Sequence, residues 1–226
     1  LSDYIYAIST WSQPQLVEKA IASLLPEEEY MVQDCKKFPS LAAAWNDSIS
    51  KYVISGEYKA VILMTDDVEC VDPRPTGRAL LGALEKYGPQ LNVLMTVGYD
   101  VNLHTNHGLV AWAGSMTLPG AFCMCITRDL IYKIGFYDER FKRAWFEDAD
   151  MWHRIYRAGY EVASVAPVKH IGQATTTLDP SAMKAKLKYY PQNYKRYVKK
   201  WGGPPGHEIE GETSISQFFP SNIITS

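Results

Sequence analysis

The sequence predicts an α/β fold: a Rossmann-like, mostly parallel central sheet flanked by helices, followed by a C-terminal helix and an extended tail. Three observations carry this. Short apolar runs alternate with segments of helical periodicity through the first hundred residues. The run Ala60-Val61-Ile62-Leu63-Met64 is apolar on both faces, as a central parallel strand should be. A chain of 226 residues with 46% hydrophobic side chains suits one sizeable core, and no linker divides it.

Taken in order, Tyr4 to Ile8 predicts the first strand, ended by the polar stretch Ser9 to Gln13. Pro14 suits the first turn of a helix whose apolar stripe is Leu16, Val17, Ala20, Ile21 and Leu24. A strand at Tyr30 to Val32 ends at Asp34, and Leu41 to Val53 is a second helix stopped by Gly56. The strand Ala60 to Met64 follows, then a helix over Pro75 to Tyr87 and a strand over Leu91 to Val97. Beyond it, strands are expected at Leu109 to Trp112, Ala121 to Ile126 and Glu161 to Val165. Helices are expected at Arg128 to Ile134, at Glu147 to Ala158 (closed by Gly159) and at Lys184 to Trp201, interrupted near Pro191. Residues 202–226 read as an extended tail.

Composition excludes several classes. With 23 basic and 25 acidic residues the net charge is -2, which lacks the basic surplus of a nucleic-acid-coating protein. No run approaches the ~18 apolar residues of a membrane span, and no basic start with a small-residue cleavage site is visible, so a cytoplasmic location is expected. Cys35, Cys70, Cys123 and Cys125 form no CxxC pair. In a strand, Cys123 and Cys125 share a face, and free thiols are the expectation.

Three constellations bear chemistry. Thr65-Asp66-Asp67 follows the apolar strand directly, at the sheet end where open α/β proteins bind ligands. Carboxylates there hold a hard divalent cation against diphosphate oxygens, or simply form an acidic turn. Glu147-Asp148-Ala149-Asp150 opens a helix behind Trp145-Phe146. Acids at that end cap N–H groups, and Asp150 can pair with Arg154, but three acids exceed what capping needs. A carboxylate kept ionised by the helix dipole there suits a general base. His170 gains a metal-binding role only if its strand end lies beside Asp67. His104 and His107, in a loop, are candidate acceptor contacts.

In order, these elements resemble the GT-A glycosyltransferases, in particular the inverting family 2, over about Tyr4 to Thr177. The motifs that carry the resemblance are Gly120-Ala121-Phe122, Arg128-Asp129, Ile134-Gly135-Phe136-Tyr137-Asp138-Glu139-Arg140-Phe141, Glu147-Asp148-Ala149-Asp150, Arg154, Ala158-Gly159-Tyr160 and His170. The resemblance implies a GT-A catalytic domain over residues 1–177, with a nucleotide-binding half at about 1–100 and an acceptor half at about 101–177. Residues 178–226 then add a helix and tail packed on the same domain. It implies Asp148 as catalytic base with Glu147 in support. Donor contacts fall to Thr10, Asp34 (to the base), Asn46 and Asp66, with Ala44 and Asn46 on a helix facing the nucleotide. Asp67 and His170 become ligands of a manganese or magnesium ion. The implied activity is metal-dependent, inverting sugar transfer from a nucleotide-diphosphate sugar to a hydroxyl of a glycan, lipid-linked or protein-linked acceptor.

The sequence departs from the pattern twice. Thr65 stands where the family's D-x-D motif has its first acid, and Asp34-Cys35-Lys36-Lys37 replaces its Asp-Asp-Gly-Ser. Two rival classes remain. A sugar-nucleotide pyrophosphorylase needs a glycine-rich basic loop, which Ser9 to Gln13 does not supply. A non-catalytic sugar-binding module explains six Trp and 15 Tyr but not acids at separate element ends. The segment from Pro180 to His207 carries seven basic residues, Lys184, Lys186, Lys188, Lys195, Arg196, Lys199 and Lys200, and interleaved aromatics. It reads either as a solvated amphipathic helix or as a lid or docking surface for an anionic ligand or a membrane surface.

Overall fold

The computed structural model describes residues 2–11, 13–71, 75–101, 122–171 and 179–209. The expected strand at Leu109 to Trp112, His104 and His107 lie outside the described residues. Along the chain run β1 (Tyr4–Thr10), α1 (Pro14–Ala22), β2 (Tyr30–Asp34), a 3₁₀ turn (Cys35–Lys37), α2 (Leu41–Ser48) and a π-helical turn (Ile49–Ile54). There follow β3 (Ala60–Thr65), β4 (Val68–Cys70), α3 (Thr76–Leu91), β5 (Val93–Asp100), β6 (Cys123–Thr127) and α4 (Arg128–Ile134). Last come α5 (Glu147–Arg157), β7 (Glu161–His170) and α6 (Pro180–Trp201). The seven strands form one sheet in the order β2-β1-β3-β6-β5-β7-β4, in which β6 and β4 oppose the other five.

Period-two alternation sorts the sheet residues onto two covered faces. Ile5, Ala7, Val61, Leu63, Met124 and Ile126 pack under α2, α4 and α5, through Trp45, Leu130, Ile131, Met151, Trp152 and Ile155. Tyr4, Tyr6, Ile8, Ile62, Met64, Cys123 and Cys125 face the other way, under Ala20 of α1 and Leu80 and Leu81 of α3. Both cysteines therefore share a face as expected, and all four thiols are free. A third cluster, Phe141, Ala149, Tyr197 and Trp201, fastens α6 to the body.

Several expectations are corrected. The apolar run of β3 does not lie between parallel neighbours: β1 is parallel to it and β6 antiparallel. Its side chains report helices on both faces, which is indifferent to the direction of the adjacent strand. β4 is too short to show periodicity and escaped the sequence. β7 does not stop at Val165 but runs on to His170, because a register shift opposite Val97/Gly98 accommodates the irregular stretch that contains Pro167. α6 begins at Pro180, four residues earlier than expected, capped by the Asp179 carboxylate, and runs through Pro191 without interruption. Pro191 lies on the exposed face, and the carbonyl it leaves unpaired belongs to Leu187, which is also exposed, so water can satisfy it. Among the described residues no helix is long and apolar enough to cross a membrane.

Candidate active site

The carboxyl ends of β1 and β3 lie side by side, with Ser9 in register with Thr65. Thr10 Oγ1 donates to Asp66 Oδ2 at 2.6 Å, and Thr65 Oγ1 donates to Asp67 Oδ1 at 2.7 Å. The short strand β4 then turns the chain onto the end of β7, pairing Val68 with His170. That pairing sets His170 Nε2 3.5 Å from Asp67 Oδ2, while the imidazole stacks on Phe122 with centroids 4.4 Å apart. Burial alone would raise the Asp67 carboxyl. The hydrogen bonds from His170 and Thr65 outweigh it and hold the group below its ordinary value, in the ionised form.

The second acidic element enters from α5. Just before this helix, Arg143, Trp145 and Phe146 have φ of 61°, 79° and 78°. Left-handed backbone at a non-glycine residue costs about 1–3 kcal/mol and persists only where its surroundings over-determine it. Here they do. Asn193 of α6, fully buried, donates from Nδ2 to the carbonyls of Lys142 (2.8 Å), Ala144 (3.1 Å) and Trp145 (3.3 Å), and accepts from the Lys142 N–H at 2.9 Å. On the other side the Leu41 N–H bonds the Arg143 carbonyl at 2.7 Å. The result places Glu147 and Asp148 at the start of α5.

Glu147 and Asp148 open on the same cavity as Asp66, Asp67, His170 and Thr10, a space of about 260 Å³ whose wall also includes Trp11, Arg143, Trp145 and Lys186. Acids 81 residues apart in the chain therefore converge. Burial pushes the Glu147 carboxyl up to about 8, with the charge of Asp148 adding to the effect, and Glu147 Oε2 has no hydrogen-bond partner among the described residues. Asp148 is half-buried and also raised by burial, although its Oδ1 accepts the Ala149 N–H at 2.8 Å. The backbone donors at the helix start favour the ionised form of this group, and desolvation works against them.

The other expected site residues lie elsewhere. Asp34 caps the 3₁₀ turn by accepting the Lys36 N–H at 3.0 Å, and its neighbour Cys35 lines the cavity in its place. Asn46 does not face the cavity. Its amide grips the segment after α4, donating to the Tyr137 carbonyl (2.9 Å) and Glu139 Oε1 (2.9 Å) and accepting the Tyr137 N–H (3.0 Å). Asp150 points away, toward Arg154 and α6. Conversely, Trp11, Trp45, Arg143 and Lys186 line the cavity without having been singled out for it. The Arg143 guanidinium rests over the Trp11 ring at 5.0 Å, and Trp45 Nε1 donates to Ser9 Oγ at 3.2 Å.

A divalent cation fits two donors here. Asp67 offers an ionised oxygen and His170 an imidazole nitrogen, a mixed set that suits manganese. No group of three or more metal-binding side chains occurs among the described residues, so remaining positions would fall to ligand oxygens and water.

The mostly parallel sheet, with one antiparallel strand beside β3 and helices on both faces, has the GT-A fold. Solved structures share it. A mannosyltransferase from Pyrobaculum calidifontis in complex with GDP-Man and Mn2+ is 11% identical, with 91% of this chain and 67% of that chain covered and a TM-score of 0.55. A Drosophila β1,4-galactosyltransferase 7 mutant in complex with manganese, UDP-Gal and xylobiose is 10% identical, with 96% and 91% covered and a TM-score of 0.54. Glucosyl-3-phosphoglycerate synthase from Mycobacterium tuberculosis, in complex with Mn2+, UDP and glucosyl-3-phosphoglycerate, is 11% identical, with 84% and 79% covered and a TM-score of 0.51. No protein-family model and no curated protein sequence matches the chain.

Proposed function

We propose that this protein is an inverting glycosyltransferase that moves a sugar from a nucleotide-diphosphate donor to an acceptor hydroxyl. The observation that carries the reading is the convergence of Asp67–His170 and Glu147–Asp148 on one cavity at the carboxyl end of the sheet. The solved structures of the same fold that hold GDP-Man or UDP together with Mn2+ support it.

In this reading the diphosphate lies toward Thr10, Asp66 and Asp67. Asp67 and His170 would hold a divalent cation, which supplies Lewis-acid neutralisation of the charge that builds on the leaving diphosphate. Asp148 faces the acceptor. It takes the hydroxyl proton as that oxygen bonds to the anomeric carbon and the carbon–oxygen bond to phosphate breaks, so configuration inverts in a single displacement. A carboxylate whose pKa is raised by burial is a stronger base than a solvated one, which suits that role. Glu147, buried beside it with its carboxyl pushed up to about 8, keeps a second negative charge out of the same space near neutral pH. The faces of Trp11 and Trp145 on the cavity wall offer apolar surface to a sugar ring. Most of the rate then comes from positioning and preorganised charge.

The test is incubation with a panel of UDP-, GDP-, dTDP- and CDP-sugars, with manganese and with chelator. Slow release of nucleoside diphosphate from at least one donor in manganese, stopped by chelator, is the expected result. No release from any donor, together with no thermal shift, would overturn the transferase reading.

A further inference from the structure

The basic stretch of α6 divides when seen in place. Lys184, Lys188, Lys195 and Lys199 are exposed, whereas Lys200 is buried against Asp138 and Asp150. Lys186 does something else. It is half-buried, lies on the wall of the acid cavity with Ala182 and Ala185 of the same helix, and holds its ammonium 5.9 Å from the centroid of the Trp145 ring. Burial draws it below the ordinary lysine value, against the pull of Glu147, Asp67 and Asp66. Those named acids are the charges it faces, and among the described residues none forms a close ion pair with it.

We infer that Lys186 is a diphosphate-binding residue: α6 carries it onto the wall of the cavity that Asp67 and His170 also line, as a fixed cation for the phosphate oxygens of the donor. Three observations converge on this. The cavity wall at the carboxyl end of β3 is acidic, so a cation placed there balances charge that an anionic ligand would otherwise meet as repulsion. Thr65 is neutral and donates its hydroxyl to Asp67, so the carboxylates that Lys186 faces at this strand end are Asp66 and Asp67. The helix bearing the lysine is anchored by the buried Asn193 and Trp201, so the ammonium is presented by a rigid element rather than a loop. As the bond from the anomeric carbon to the diphosphate breaks, its electron pair moves onto a phosphate oxygen. Lys186 donates a charge-assisted hydrogen bond to that developing anion and gives up no proton. Neutralisation of the leaving group is thereby shared between a bound cation and the chain itself.

This rests on the transferase reading of the cavity, but its test does not need turnover. The probe is inorganic pyrophosphate, titrated calorimetrically into the full chain in chelator, at low and at high salt. Wild type is expected to bind. Lys186→Met should weaken binding by about tenfold or more, as loss of a hydrogen bond to a charged group does, while Lys186→Arg restores most of it. Lys188→Met, which removes the same charge from an exposed position of the same helix, should bind as wild type does. Thermal melts check that each variant is folded.

Absent binding by wild type in chelator would overturn the inference, as would equal affinity of Lys186→Met and wild type, or equal weakening by Lys188→Met. Lys186-dependent binding of pyrophosphate without consumption of any nucleotide-sugar would uphold it and defeat the transferase reading alone. Turnover of a nucleotide-sugar with unchanged KM and kcat in Lys186→Met, and unchanged pyrophosphate affinity, would do the reverse.

Discussion

Asp148 and Asp150 stand two residues apart on one helix and live in opposite electrostatic worlds. Asp150 is fully buried and surrounded by donors: Arg154 Nε at 3.0 Å, Lys200 Nζ at 2.5 Å and Trp201 Nε1 at 2.9 Å. The same network takes in Asp138, whose carboxyl burial would raise but which Arg140 and Lys200 hold down at about 2. Asp148 faces the cavity beside the raised Glu147 and has no ion pair among the described residues. A turn of about 200° between positions two apart on a helix is enough to send one acid to a scaffold and its neighbour to a cavity. Charge composition alone does not distinguish them. What does is whether counter-charges from another element have been packed against the group.

Substitutions can break this contrast from either side. Asp148→Asn should lower transfer by about 10²–10⁴-fold, the usual worth of a positioned base, while leaving stability and nucleotide binding near wild type. Unchanged kcat would remove Asp148 from the role. Asp150→Ala should do the opposite, destabilising the fold by about 3–5 kcal/mol in urea unfolding because buried Arg154 loses its carboxylate and Lys200 keeps only Asp138. A loss well under ~1 kcal/mol would show the network to be idle.

Asn193→Ala should cost about 1–3 kcal/mol and release the left-handed backbone before α5, so activity falls more than stability does. Equal losses would argue that the backbone there holds itself. The last contrast is in pH dependence. Glu147 has a folded-state pKa of about 8 against an ordinary 4.5, so between those values the folded chain holds a proton that the unfolded chain has released. Its contribution to stability is complete at low pH and is lost as pH rises through that window, and Asp148, also raised, acts in the same sense. Glu147→Gln should therefore flatten the fall in stability between about pH 5 and 8, as measured by urea melts across that range. A slope unchanged from wild type would place the titration elsewhere.

How much of this was legible in the sequence follows from how local each feature is. The strand and helix alternation, the two faces of β1 and β3, Gly135 and Gly159 as helix stops, and the Asp150–Arg154 pair all depend on neighbours within a few residues. The convergence of Asp67, His170 and Asp148 was expected from the order of motifs, and the cavity brings them together. Asp34 and Asn46 were assigned by place in that pattern. The Asp34 carboxylate bonds the Lys36 N–H two residues on, as an Asp in a turn does, whereas the Asn46 amide bonds the Tyr137 backbone 91 residues away, which no spacing rule exposes. Lys186 is one basic residue among seven on its segment, and only the docking of α6 against Phe141, Phe146 and Ala149 decides which of them turns inward. β4 is three residues long, yet it is what seats His170 beside Asp67.

The grip of Asn193 on the carbonyls ahead of α5 has a further consequence. It makes the C-terminal helix a structural guarantor of the acidic cavity wall at the start of α5. Heat, cleavage or a partner that peels α6 away would withdraw Lys186 from the cavity and let the twisted backbone beneath Glu147 and Asp148 relax in the same event. On the transferase reading, acceptor activation and diphosphate capture would then fail together.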